Sequence, residues 1–225
     1  MNEFLIKNRD TLISIPLRER SLQIFGDEKR LDSGLTNGKL FDGKLDPSVI
    51  GAFDPPLPFA AEGPEPPLPN APILIIENHH TYSSFVTANQ KFRGYSAVAW
   101  GVGQAFAKSA RGLDSVLARY SGSQILYFGD LDGRGIRIPC QVNKARLAEG
   151  LMPIVPASAL YEWLLDCGTP RVVDQESVGL TYEQAAIDWL GPVLAYRVRA
   201  LWHESKRIAQ ENLSLDRITA SHFNP

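Results

Sequence analysis

Two short unbroken apolar runs constrain this chain more than any other feature: PILIIE at 72–77 and QILYFGD at 124–130. A strand that meets water on one face alternates apolar and polar residues. A run without polar breaks must be covered on both faces, as strands are in parallel sheets flanked by helices. YSAVAW (95–100), ended by Gly101 and Gly103, reads as a further strand, and MPIVP (152–156) as a short fourth. Helical signals lie between them: a short helix at 83–90, a segment placing Val102, Phe106, Ala110, Leu113 and Leu117 at helical spacing, and a helix at 133–147. The last third reads as mostly helix, at 161–165, 182–190 and 193–212, the final one with Leu194, Val198, Leu201 and Ile208 on one face. This order predicts an α/β fold: a mostly parallel four-stranded sheet covered by helices, with a helical C-terminal third and a short N-terminal extension.

Eight of the 16 prolines fall between Pro55 and Pro72. Proline fixes φ and lacks a donor, so such a run cannot hold a helix or a central strand. It predicts a semi-extended linker at 54–71, between an N-terminal segment (1–53) and the main domain (72–225). The N-terminal segment, with the charged stretch IPLRERSLQIFGDEKRLD (15–32) and a glycine-rich run to Gly43, is too small and polar to fold alone. It is expected to pack on the main domain or lead into it.

At 225 residues and 44% hydrophobic content the chain can fill one α/β core. No apolar run approaches the roughly 20 residues that cross a bilayer, and MNEFLIKNRD lacks the layout of a signal peptide. Cys140 and Cys167 stand apart, without a CxxC pair, and read as reduced, buried thiols of a cytoplasmic protein. A net charge of −2 counts against a free-standing nucleic-acid binder, although a subunit of a larger complex can borrow its partners' charge.

Chemistry concentrates where two predicted strands end. Ligands of parallel α/β sheets gather at the carboxyl ends of the strands. Glu77 closes the first run, followed by Asn78, His79 and His80; Asp130 and Asp132 close the third. In extended backbone, residues i and i+2 project to the same side, so both aspartates can face one cation. Three clustered carboxylates repel one another unless a cation neutralises them. An all-oxygen set suits Mg²⁺, which can stabilise charge on a phosphate and activate a water. The plainer alternative is that Asp132, before Gly133, only caps the next helix. An EF-hand loop starting at Asp130 fails, because its fifth and twelfth positions hold Arg134 and Gln141. A haloacid-dehalogenase-type phosphatase with Asp130 as nucleophile stays open, as does a non-catalytic interaction module. Arg134, between two glycines beside the carboxylates, is a candidate phosphate contact. Lys144 and Arg146 read as a solvated helix face, and Arg197, Arg199, Lys206 and Arg207 as surface charge or partner contacts.

Four stretches together carry a resemblance: RERSLQIFGDEKRLD (18–32), ILIIEN (73–78), VAWGVGQA (98–105) and YFGDLDGRGIRI (127–138). They resemble the C-terminal part of the Wadjet anti-plasmid JetD family over about 15–215. The resemblance implies a Toprim-like catalytic domain related to the A subunit of type IIB topoisomerases. It implies a DNA endonuclease acting with an SMC-like motor complex on plasmid DNA, with homodimers possible. Under it Glu77, Asp130 and Asp132 are metal ligands and catalytic residues, with Mg²⁺ as cofactor and Mn²⁺ able to substitute. Under the same resemblance the FGDEK block places Glu28 as a catalytic contribution and Lys29 as a substrate contact. His79 is a further candidate substrate contact, weighed against a plain polar-loop role; adjacent histidines in a strand point to opposite faces, so at most one of the pair would reach the site. The winged-helix domain of the family has no counterpart in these residues, and no tyrosine is assignable as a nucleophile. Hydrolysis by an activated water is the expected chemistry.

Overall fold

The computed structural model describes residues 2–8, 11–31, 46–55, 58–103, 106–174 and 187–224. The chain forms two compact units, Met1–Pro56 and Leu57–Pro225. In the first, helix α1 (Asn2–Asn8) precedes β1 (Ile15–Pro16) and α2 (Leu17–Phe25). β1 pairs in parallel with β2 (Ala52–Phe53). A small cluster of Leu17, Leu31, Ile50 and Ala52 holds them. Buried Arg20 donates to the Gly51 carbonyl and ties α2 to the turn before β2.

The second unit is built on a five-stranded sheet in the order β3-β5-β4-β6-β7. The strands are β3 (Ala61–Glu62), β4 (Ile73–Ile76), β5 (Ala97–Trp100), β6 (Ile125–Phe128) and β7 (Ile154–Pro156). β5, β4, β6 and β7 run parallel to one another, as the unbroken apolar runs predict. Alternate residues feed two separate cores. Leu74, Ile76, Val98, Leu126 and Phe128 face one way, onto Phe85, Tyr161, Val198 and Trp202. Ile73, Ile75, Ala97, Ile125 and Tyr127 face the other, onto Phe106, Leu113, Ile138 and Val142. Every side chain of β4 and β6 is therefore buried, at about 1.5–3 kcal/mol for each large apolar residue.

The helices covering these faces are α3 (His79–Phe92), α4 (Phe106–Ser109), α5 (Leu113–Tyr120), α6 (Gly133–Ala148), α7 (Ser158–Cys167) and α8 (Pro192–His203).

Three expectations are corrected. The sheet has a fifth strand: β3 lies within the proline-rich run and pairs antiparallel with β5. Phe59–Gly63 is the stretch between Pro58 and Pro64 that keeps its amide donors, so it can pair at an edge where its neighbours cannot. Tyr120 donates to the Ala61 carbonyl at 2.7 Å and Gln90 to the Gly63 carbonyl at 3.0 Å, so this part of 54–71 is packed chain and not a spacer.

Second, α3 begins at His79 and not near residue 83. The Asn78 side chain accepts from the His80 amide at 2.9 Å, an N-cap that starts the helix directly after Glu77. His79 and His80 are therefore first-turn helical residues.

Third, the helix expected at 193–212 ends at His203. The chain then forms β9 (Lys206–Arg207), antiparallel to β8 (Arg171–Val172), and a 3₁₀ turn at Gln210–Asn212. No glycine or proline marks this ending. Tertiary partners decide it: the Leu131 amide donates to the Ile208 carbonyl at 2.9 Å, and the Trp202 indole donates to the Leu131 carbonyl at 3.1 Å. The helix expected at 182–190 and the glycine-rich run to Gly43 fall largely or wholly outside the described residues.

Candidate functional site

Register decides which acids meet. Ile76 pairs with Phe128, and the Glu77 amide donates to the Phe128 carbonyl at 3.1 Å. Glu77 thus leaves β4 beside Gly129 and Asp130, which leave β6. A Cβ at position 129 would collide with Glu77 Oε2, so this glycine is what lets the carboxylate lie across the neighbouring strand end. The Gly129 amide donates to the buried Tyr161 hydroxyl at 3.0 Å, and fully buried Tyr127 donates its hydroxyl to Glu77 Oε2 at 3.3 Å. Burial, then the charges of Asp130 and Asp132, push the Glu77 carboxyl up to about 7. Asp130 is pushed up to about 6, mainly by burial and partly by Asp132 and Glu211, against a hydrogen bond from the Gln210 amide and the charge of Arg207. The three acids singled out in the sequence therefore share one electrostatic environment.

Asp132 combines the two roles weighed for it. Its Oδ1 accepts from the amides of Arg134 (3.0 Å) and Gly135 (2.8 Å), capping α6. Its Oδ2 accepts from Arg207 at 2.8 Å. A Cβ at Gly135 would strike the Asp130 backbone, so the turn between the two aspartates closes only with glycine there. Asp132→Ala is expected to lower stability by about 1–2 kcal/mol through the lost cap. Asp132→Asn keeps the capping oxygen but not the acceptor for Arg207, so it should lose less stability than the alanine variant without reaching wild type. Urea unfolding of both variants checks this, and equal losses would mean that the cap contributes little.

Sequence reasoning missed the segment that closes over these acids. Residues 206–211 run past Leu131 and lay three groups against the site. Arg207 Nη1 donates to Asp130 Oδ2 (3.1 Å) and Asp132 Oδ2 (2.8 Å). The Gln210 amide donates to Asp130 Oδ1 at 2.9 Å. Glu211 accepts from the Asn78 side chain at 2.6 Å. Reading these residues as one long helix put Arg207 on a solvated face; the early helix end brings it to the carboxylates instead. Arg146 is also corrected: it is buried and pairs with Asp114 at 2.7 Å, joining α6 to α5. Lys144 is exposed, as expected, whereas Cys167, expected to be buried, is exposed at the end of α7.

The remaining candidates fall in different places. Arg134 is exposed on the first turn of α6, next to Asp132. His79 is exposed on the first turn of α3, its ring 5.1 Å from that of Trp100. Glu28 and Lys29 are exposed residues of the first unit, where the Lys29 amide donates to Asp27 Oδ1 at 2.9 Å. Every side chain of the acidic group belongs to the second unit. Among the described residues, no three His, Cys, Asp or Glu side chains converge into a ready-made metal cage. No described helix is long and apolar enough to cross a membrane.

No match emerges among curated proteins or solved structures. A protein-family model described as Wadjet protein JetD, C-terminal, matches residues 59–221. That span starts within the proline-rich run beside β3, takes in the whole sheet with Glu77, Asp130 and Asp132, and ends beyond the closing segment that carries Arg207. On this match, which covers well over half of its length, the chain belongs to the JetD C-terminal family.

Proposed function

We propose that this chain is the nuclease component of a Wadjet anti-plasmid system, a Toprim-type endonuclease that hydrolyses the DNA backbone with Mg²⁺ held by Glu77, Asp130 and Asp132. The observation that carries this reading is the placement of the three acids at the carboxyl ends of adjacent parallel strands, where the charges of Asp130 and Asp132 raise the Glu77 carboxyl and that of Asp132 raises Asp130. An oxygen-only donor set under mutual repulsion fits a hard divalent cation. Such an ion is commonly held by one or two carboxylates with waters completing its shell, so a closed protein cage is not required. When bound, it would supply charge stabilisation at the scissile phosphate and an activated water.

The chain's own residues do the rest. Tyr127 donates its hydroxyl to Glu77 and orients the carboxylate. Arg134 and His79, exposed beside the acids, are the candidate backbone contacts; they would position DNA without reading its sequence. Glu28 and Lys29 stay candidates through the FGDEK block alone. With a net charge of −2, the chain would rely on other Wadjet subunits, including an SMC-like motor, to bring DNA to it. Homodimerisation is part of the same proposal.

A non-catalytic module is the second reading, favoured by the Asp132 cap and the Arg207 ion pairs, which give the aspartates structural work without a metal. Circular plasmid incubated with the reconstituted complex separates the two. Cutting is expected with Mg²⁺ or Mn²⁺ and none with EDTA; intact plasmid under all conditions would leave the module reading. Turnover of p-nitrophenyl phosphate by the chain alone would instead favour the phosphatase.

A further inference from the structure

The cation that neutralises the aspartates in this structure is a side chain. One guanidinium nitrogen of Arg207 bridges Asp130 Oδ2 and Asp132 Oδ2, the outward oxygens of the pair. The inward oxygens are already committed, Asp130 Oδ1 to the Gln210 amide and Asp132 Oδ1 to the start of α6. A divalent ion approaching the pair therefore needs the two oxygens that Arg207 holds.

Arg207 is also tethered. Its strand β9 pairs with β8, and Ile208, the next residue, is buried and bridged to Leu131 between the two aspartates. The backbone cannot retreat without breaking that bridge, whereas the long side chain can swing away. About a third of it is exposed, so a path to solvent exists.

Resting on the reading that Asp130 and Asp132 bind a divalent ion, we propose that Arg207 is an intramolecular competitor of the metal and the positioning residue that sets its affinity. In the metal-free chain it keeps the two carboxylates aligned and neutralised. On metal binding it is displaced while its strand stays in place. A residue that only stabilises the fold would not change metal affinity in this direction, since loss of carboxylate alignment weakens binding.

The test is Mn²⁺ binding to the full chain, followed by calorimetry or by the loss of free-ion paramagnetic resonance signal, for wild type, Arg207→Ala and Arg207→Lys. Two charge-assisted hydrogen bonds at a partly exposed site, discounted for screening, correspond to about a tenfold change. Arg207→Ala is expected to bind Mn²⁺ about tenfold more tightly and to melt at a lower temperature than wild type without metal. Arg207→Lys, which keeps the charge on a side chain one atom shorter than the one whose Nη1 bridges the pair, should move in the same direction by a smaller factor. It also keeps the test decisive if the alanine chain does not fold. Unchanged or weaker binding in the folded variants would overturn the inference while leaving the metal site standing. Absence of Mn²⁺ binding in all three chains would remove both.

Discussion

Glu77→Gln is expected to lower plasmid cutting by the assembled complex about a thousandfold or more, with the chain still folded. The substitution keeps the shape of the side chain and an oxygen for the Tyr127 hydroxyl, but removes the charge. Metal-assisted stabilisation of a phosphoryl transition state is worth several kcal/mol, and each 1.36 kcal/mol is tenfold in rate. Gly129 leaves room for either side chain at this strand end, so no steric change accompanies the loss. Agarose-gel analysis of plasmid with matched amounts of wild-type and variant complex measures the effect. Cutting within a fewfold of wild type would remove Glu77 from the reaction and, with it, the proposed ligand set.

The second large effect is on stability and has the opposite sign. Glu77 has a carboxyl near 7 in the folded chain, against an ordinary value near 4.5. Because the folded-state value is raised, the unfolded chain gives up this proton first. The resulting penalty is absent below about pH 4.5, grows as pH rises, and is complete above about pH 7. A buried carboxyl displaced this far carries on the order of a few kcal/mol. Without divalent metal, wild type should therefore lose stability between about pH 5 and pH 8 more steeply than Glu77→Gln, and the variant should be the more stable chain at pH 8. Asp130, raised to about 6, adds to the same trend in both proteins. Denaturant unfolding at several pH values, in EDTA, reads the difference. Parallel curves would mean that Glu77 is solvated and that the acids do not form one group. Addition of Mg²⁺ should flatten the wild-type curve, since a bound cation removes the charge penalty that burial creates.

These expectations share one physical origin. Natural folds rarely bury three acids together unless a cation offsets them. Here the offset in the metal-free chain comes from Arg207, 75 residues after Asp132. It is partial: Glu77 is still pushed up to about 7 and Asp130 to about 6. The fold tolerates the cost at a strand end, where an exchangeable partner can reach the acids.

The central sheet and its acids were legible in the sequence because both depend on local pattern. PILIIE and QILYF have no polar residue to offer water, so burial on both faces follows from composition alone, and parallel strands end where ligands gather. Glu77, Asp130 and Asp132 sit on those ends by position. Three of the four blocks that carry the family resemblance lie within the matched span 59–221, and RERSLQIFGDEKRLD (18–32) lies outside it.

Other features depended on partners far away in the chain. β3 forms inside a proline-rich run because β5 offers an open edge to the few residues that keep their donors. Helix α8 stops at His203 because Leu131 and Trp202 draw the next residues into a pairing that helical periodicity cannot foresee. That stop carries Arg207 and Gln210 to the aspartates. The sequence by itself determined the strands, their burial and the acids at their ends, since each follows from the spacing of apolar residues over a few positions. Only the tertiary structure decided what neutralises those acids, because an ion pair between residues 130 and 207 is a property of how distant segments pack and leaves no trace in the spacing along either one.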